Sequence, residues 1–556
     1  MKFPMRKTKG NRFFPCFRSV LPVTSLLLCL LLLAGCSENV PEISSINPRI
    51  GKVGEVLTIK GSGFGENRNE SYVTIAGIPP TSSSYLSWNN SEISVRIPEI
   101  REAGLVYIHR GRGKSNPALF TNQATLPEFV EESEYGSSPR IDSLDPSSGP
   151  IGSLITITGS NFGSSRGQSA VFFSWDAEST VPAGELPPDY VEVFEADFGY
   201  ELWSEREIRV RVPDGATSGN MEVRTSRGNS RPVFFEITGK PGIKTFKDKR
   251  SYTLSYNVDL RIAEASLPNN LYIWMPKPAG SSSQRNISLL SRSTEPFVDN
   301  YRGTSLFQFM DLESGARRNI SLSYVAEVYS VETSISTQTP VKLNSPSPAG
   351  TVFTLPSALV PSDDPGIKAK AEEITGRERN LYGKAQKIYE WLISSGGIQP
   401  TPLSGGALEA LEEKQADSYM AAMLFCALAR ASGIPAHPVA GVLVNRQQAT
   451  TRHYWAEFWI DGFGWIPLDP ALGAGMAPRD FNLREDRSKY YFGNLDNQRI
   501  TFTRGEYLLS QMAPRGRITM HSRDYSLQNL WEEAVGGLES YSTLWSDVTI
   551  TGMYVQ

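Results

Sequence analysis

Three residues in the C-terminal half have the types and settings of an acyl-transfer site: Ser418, His453 and Asp469. A hydroxyl attacks a carbonyl only when a neighbouring base takes its proton, and an imidazole serves as that base when a carboxylate fixes its tautomer. Each residue sits on an element that the sequence marks. Asp417 is a suitable N-cap, Ser418 to Ala431 is rich in Ala, Leu and Met, and Gly433 with Pro435 supplies a stop. The spacing therefore predicts a helix with Ser418 on its first turn. Unpaired N–H groups and the positive end of the dipole meet there, which favours an anion developing on the serine oxygen or beside it. Further on, His453, Trp455, Glu457 and Trp459 alternate with Tyr454, Ala456, Phe458 and Ile460, a period-two strand ending in the turn signal Asp461-Gly462. Counting back through that turn sets Asp469 across from residues 454 to 456, within reach of the His453 ring.

The same stretch resembles the transglutaminase-like superfamily, whose core is papain-like. The motifs are Gly433-Ile434-Pro435-Ala436, His453-Tyr454-Trp455-Ala456-Glu457 and Gly464-Trp465-Ile466-Pro467-Leu468-Asp469-Pro470. The resemblance implies that His453 is the base and Asp469 its orienter. It also exposes two departures. His437 stands where the family usually has Arg, and Ser418 stands where it has its nucleophilic Cys, with Ala422 and Phe425 in the usual register. Cys426 is no substitute, because eight residues along one helix amount to about 12 Å. Its neighbours Leu424, Phe425 and Leu428 make it a small apolar core residue. His437 and Glu457 read as structural or orienting groups.

The N-terminus carries a different signal. Residues 1–35 hold Lys2, Arg6, Lys7, Lys9, Arg12 and Arg18, no acidic residue, and an apolar run from Leu26 to Leu33. That is the pattern of an export signal. Leu33-Ala34-Gly35-Cys36 resembles a bacterial lipobox, which implies lipidation of Cys36 and anchoring of an exported chain to a membrane of the cell envelope, periplasmic or surface-exposed. Cys16 and Cys29 leave with the signal, so Cys426 has no disulfide partner. The net charge of −4 becomes −10 once the six cationic residues are removed. With no basic stripe, nucleic-acid binding has no footprint. The four histidines and few cysteines show no metal-ligand spacing, and nothing calls for a cofactor.

Next comes an internal repeat. Ile43, Pro48, Gly54, Gly61 and Phe64 recur 98 residues later as Ile141, Pro146, Gly152, Gly159 and Phe162. Trp88 and Pro98 recur 115 residues later as Trp203 and Pro213, so the second copy holds a 17-residue insertion, expected at a surface connection between Phe162 and Trp203. These repeats resemble TIG/IPT domains, which are immunoglobulin-like sandwiches, over 40–125 and 139–238. Glu131, Glu132 and Glu134 with Gly136 to Ser138 form a linker between them. Residues 244–335 alternate as strands and read as a third, β-sandwich-like unit before the core at 365–475, where Leu381, Ala385, Ile388 and Leu392 mark one face of a helix. A β-rich extension at 476–556 follows, with no chemistry attached to it.

The fold class expected is multidomain: two all-β immunoglobulin-like sandwiches, a third β-rich domain, and an α+β papain-like transglutaminase core with a β-rich C-terminal extension. Three functional readings follow. The core is a Ser-His-Asp amidase, peptidase or acyltransferase acting on envelope peptides or proteins; or it is silent and uses the old cleft to bind an extended peptide or to hold an assembly together; or it is a folded remnant in a structural lipoprotein. The partner expected is an envelope protein or peptide, with a glycan as a further class, and the membrane is met through the N-terminal lipid. Loss of the thiol favours the silent readings, since a thiolate–imidazolium pair exists before substrate arrives and a hydroxyl forms none.

Overall fold

The computed structural model describes residues 40–100, 104–111, 113–122, 137–178, 189–239, 241–335, 348–395, 397–513, 515–521 and 523–555. The expected signal at 1–35, the lipidation residue Cys36 and the linker residues from Glu131 to Gly136 lie outside them.

Each repeat folds as two facing sheets. In the first copy Glu42–Asn47, Val56–Ser62, Glu92–Arg96 and Tyr85–Trp88 form one sheet in that order, and the second copy repeats it with Arg140–Asp145, Leu154–Ser160, Glu207–Arg211 and Tyr200–Trp203. Alternation supplies the cores: Leu57 and Ile59 face inward with Ile93 and Val95 in one, Ile155 and Ile157 with Ile208 and Val210 in the other. Side-chain bonds recur as well. Trp88 Nε1 donates to the Phe64 carbonyl and Trp203 Nε1 to the Phe162 carbonyl, both at 3.1 Å. The inserted residues lie between the strands Ala170–Trp175 and Tyr200–Trp203, where Asp189–Glu192 adds a strand at the sheet's edge, paired with Phe172 to Trp175. An edge admits an extra strand without disturbing packed neighbours.

The stretch 244–335 and the extension 476–556 do not form separate units. Gly242–Pro276 is one strand of 35 residues that pairs along one side with Arg317–Ile335 and Thr304–Met310. Along its other side it pairs with Glu532–Trp545 and Thr549–Val555 from the C-terminal region. A further piece of that region, Arg499–Arg504, is the fourth strand of the core's own sheet. Alternation identifies a strand, but its partners depend on pairings hundreds of residues apart, which alternation does not encode.

In the core, Gly464–Leu468, Thr450–Ile460, Ala436–Val444 and Arg499–Arg504 form an antiparallel sheet in that order. Tyr454, Ala456, Phe458 and Ile460 pack with the buried helix residues, and the intervening His453, Trp455 and Glu457 face the other way. Leu381, Ala385, Ile388 and Leu392 are all buried on the helix Leu381–Ser395. The helix Ser418–Ala431 is buried on every side from Met420 to Ala429, so it is apolar all round and runs through the middle of the core.

The second sandwich docks directly on this core. Trp459 and Trp465 join its apolar cluster, and Gly152, at φ 85°, lies so close that a Cβ there would stand 2.8 Å from the Trp459 ring. Beside them lies a buried charge network. Arg504 pairs with Asp197 of the sandwich and with Glu457 of the core, each at 2.9 Å, and Glu457 accepts from His437 Nε2 at 3.0 Å. Burial pushes the Glu457 carboxyl up, but the Arg504 guanidinium and the His437 hydrogen bond outweigh it and hold it at about 2, against an ordinary 4.5. A carboxyl depressed on folding contributes stability that is fully present above its unfolded value and is lost as pH falls through its folded one. The stability advantage of the natural chain over Glu457→Gln is therefore expected to be on the order of 3 kcal/mol at pH 7. Urea midpoints measured from pH 7 downward should show that advantage shrinking between about 4.5 and 2.

Candidate functional site

The helix carrying Ser418 begins as the sequence suggests. Asp417 is its N-cap, its carboxylate accepting the Met420 N–H at 2.9 Å. The first intrahelical bond runs from Ala421 N–H to the Asp417 carbonyl, which leaves the Ser418 and Tyr419 N–H groups as first-turn donors. Ser418 itself is half-buried. Tyr419, next to it, meets the Tyr454 ring edge-on with centroids 5.0 Å apart, so the helix start lies beside the strand that bears His453.

His453 and Asp469 do come together. The pairing of Ala456 with Leu468 puts Asp469 level with Trp455, and His453 Nε2 stands 2.8 Å from Asp469 Oδ2. With Nε2–H donating to the carboxylate, Nδ1 is the nitrogen left to act as base. Asp469 has no exposed surface, and its second oxygen accepts the Leu472 N–H at 3.0 Å as the cap of the short helix Pro470–Gly473. Burial pushes its carboxyl up. The His453 imidazole, the Arg499 guanidinium and the Leu472 N–H together outweigh that and hold it below the usual carboxylate range. Among the described residues, no hydrogen bond joins Ser418 to His453.

Sequence reasoning missed Arg499. It donates to Asp469 at 3.2 Å and to Asp496 at 2.9 Å, lies 4.9 Å from the Trp455 ring centre, and is itself buried. Tyr491 donates its hydroxyl to Asp496 at 3.0 Å, closing a network behind the imidazole. One signal was present: Arg499 and Arg504 flank the apolar alternation of Ile500 and Phe502, and an arginine built into a buried strand needs a carboxylate partner. His437 and Glu457, read as structural, belong to the separate network around Arg504.

Comparison with known proteins agrees on domain type. The Transglutaminase-like superfamily matches residues 368–470, and the IPT/TIG domain matches residues 41–122 and 139–179. The chain is 27% identical to a Haemophilus influenzae protein over 170 residues, 24% of this chain and 45% of that one. It is 30% identical to a cyclomaltodextrin glucanotransferase of Paenibacillus macerans over 86 residues, 16% of this chain and 12% of that enzyme. It thus spans less than half the length of these curated relatives. A crystal structure of a candidate cysteine protease from Cytophaga hutchinsonii aligns with 56% of this chain and 92% of its own, at 18% identity and a TM-score of 0.35.

Cys426, the thiol on the Ser418 helix, is fully buried, and burial pushes it up to about 12. A thiol held protonated and covered is inert. Cys426 is therefore expected to resist a maleimide at pH 8 in the folded chain and to react once guanidinium unfolds it; rapid labelling of the folded chain at Cys426, read by peptide mass, would contradict this.

Proposed function

We propose that this chain, which carries a transglutaminase-like core behind IPT/TIG domains, is a cell-envelope lipoprotein whose core binds an extended peptide or protein segment, or holds an assembly together, without turning it over. The observation that carries the reading is Ser418. It stands on the first turn of the helix, where the superfamily has its Cys, and makes no hydrogen bond to His453, whose Nε2 is held by Asp469. A thiol in that place would give up its proton to the imidazole before substrate arrived. A hydroxyl, with its far higher pKa, must give it up during the attack itself. For the chain as a whole, a glycan is a further partner class, supported by the 86-residue likeness to a cyclomaltodextrin glucanotransferase.

A second reading has its own support. The His453–Asp469 pair is intact and backed by Arg499, an arrangement suited to stabilising an imidazolium, and this favours a serine acyl-transfer hydrolase acting on envelope peptides or proteins. The two readings part in one experiment. The full-length chain in detergent, with Ser418→Ala and Ser418→Cys variants, is exposed to an activated ester and followed by intact mass. Acylation confined to Ser418→Cys is the result expected. An adduct on the natural chain that Ser418→Ala abolishes would instead establish the serine enzyme.

The anchor is tested separately. Cys36 follows the lipobox-like Leu33-Ala34-Gly35, and acyl chains there would hold a soluble chain to the membrane. Cys36→Ala should move the chain from the membrane fraction to the soluble one and remove the acyl mass from its N-terminal peptide; an unchanged mass and fraction would refute the lipoprotein assignment.

A further inference from the structure

Two consecutive residues far outside the matched core touch both halves of the candidate site. Arg523 pairs with Asp417, immediately before Ser418, and its guanidinium lies 4.6 Å from the ring centre of Tyr419, immediately after it. Its other nitrogen donates to the Gly405 carbonyl at 2.6 Å. Asp524 does the same for the histidine. Its carboxylate pairs with Arg452 at 3.0 Å and its carbonyl accepts the Tyr454 hydroxyl at 2.7 Å, so it grips the residues on either side of His453. Tyr419 and Tyr454 meet edge to face between these two grips.

We propose that Arg523 and Asp524 are positioning residues that set the separation between Ser418 and His453. The inference rests on the reading that these two residues face one cleft. The helix and the strand pack directly through Tyr419 and Tyr454, but no hydrogen bond joins Ser418 to His453, so the groups that hold the residues on either side of each also bear on their separation. Arg523 is suited to the task because a guanidinium presents several donors in one rigid fork, here engaging a carboxylate and a carbonyl at once. Asp524 is 3% exposed, and Arg452 supplies the opposite charge that a buried carboxylate needs. The peptide bond between the two residues makes the link short: a shift of one grip drags the other. The C-terminal region thereby becomes part of the site's framework.

The test uses the introduced thiol of full-length Ser418→Cys as a ruler. Its alkylation by iodoacetamide is followed against pH at the peptide that contains position 418, with the natural chain as blank. A thiol held beside His453 should titrate at least about one pH unit below the ordinary value of about 8.5, and His453→Ala should abolish that depression. Adding Asp524→Asn is then decisive. Removing an anion by charge alone would lower the thiol's midpoint further, whereas loss of positioning raises it toward the ordinary value. We expect it to rise, Arg523→Gln to raise it likewise, and Arg523→Lys, which keeps the charge but not the fork, to restore only part of the depression. Thermal unfolding of each variant is recorded alongside, and Asp524→Asn, which preserves volume, covers the case in which Arg523→Gln fails to fold. If the depression depends on His453 yet survives Asp524→Asn and Arg523→Gln, the cleft reading stands and the positioning inference is overturned. If the introduced thiol titrates normally with Arg523 and Asp524 intact, the cleft reading fails and the inference fails with it.

Discussion

A carboxylate drawn out of water stays ionised only where cations and hydrogen-bond donors replace the water it has lost, and the core of this protein is arranged around two such groups on one face of one sheet, Asp469 with no exposed surface and Glu457 with little. Asp469 is met by His453, Arg499 and the Leu472 N–H, and Glu457 by Arg504 and His437. Both arginines come from the single strand Arg499–Arg504. Without that strand two buried charges would lie uncompensated behind His453 and beside His437, so the sheet, the imidazole's orientation and the docking of the second sandwich share one electrostatic requirement.

That requirement reaches across the domain boundary. Asp197 belongs to the second sandwich, yet it holds Arg504 and accepts Trp465 Nε1 at 3.0 Å. Trp459 and Trp465 add an apolar seam, and Lys244 pairs with Asp214 beside it while donating to the Trp465 carbonyl at 2.7 Å. An interface of buried charges and tryptophans behaves like a domain core cut in two rather than like a flexible tether. The first sandwich is attached more lightly, with Arg49 reaching Gln308 at 2.5 Å and stacking near Phe297. Two copies of one fold thus meet different parts of the same chain: the second packs on the core, and the first on the sheet of Gly242–Pro276, where its Leu105 joins the cluster of Tyr272 and Trp274.

On the proposed reading, in which Ser418 takes the place of the superfamily's thiol, serine changes what the surroundings can accomplish. The Asp469–His453 pair stabilises a positive imidazole, which matters in both chemistries. For cysteine it shifts a resting equilibrium. For serine it acts only during proton transfer, so the same buried pair leaves the hydroxyl unactivated at rest.

Local features were legible in the sequence because they depend on neighbours a few residues apart. The Asp417 cap, the helix from Ser418 to Ala431, the turn after Ile460 and the level of Asp469 against Trp455 all follow from spacing and side-chain type. The repeat was legible too, since the second copy returns the glycines 98 residues on and the tryptophan 115 residues on. Partners drawn from distant sequence were not. Nothing near Asp469 announces Arg499, nothing near Ser418 announces Arg523, and the alternation in Gly242–Pro276 is silent about the C-terminal strands beside it. Spacing constrains a residue's conformation and the face it occupies. Which charge or strand meets that face is decided only when the whole chain closes, because burial makes distant groups satisfy one another where water no longer can.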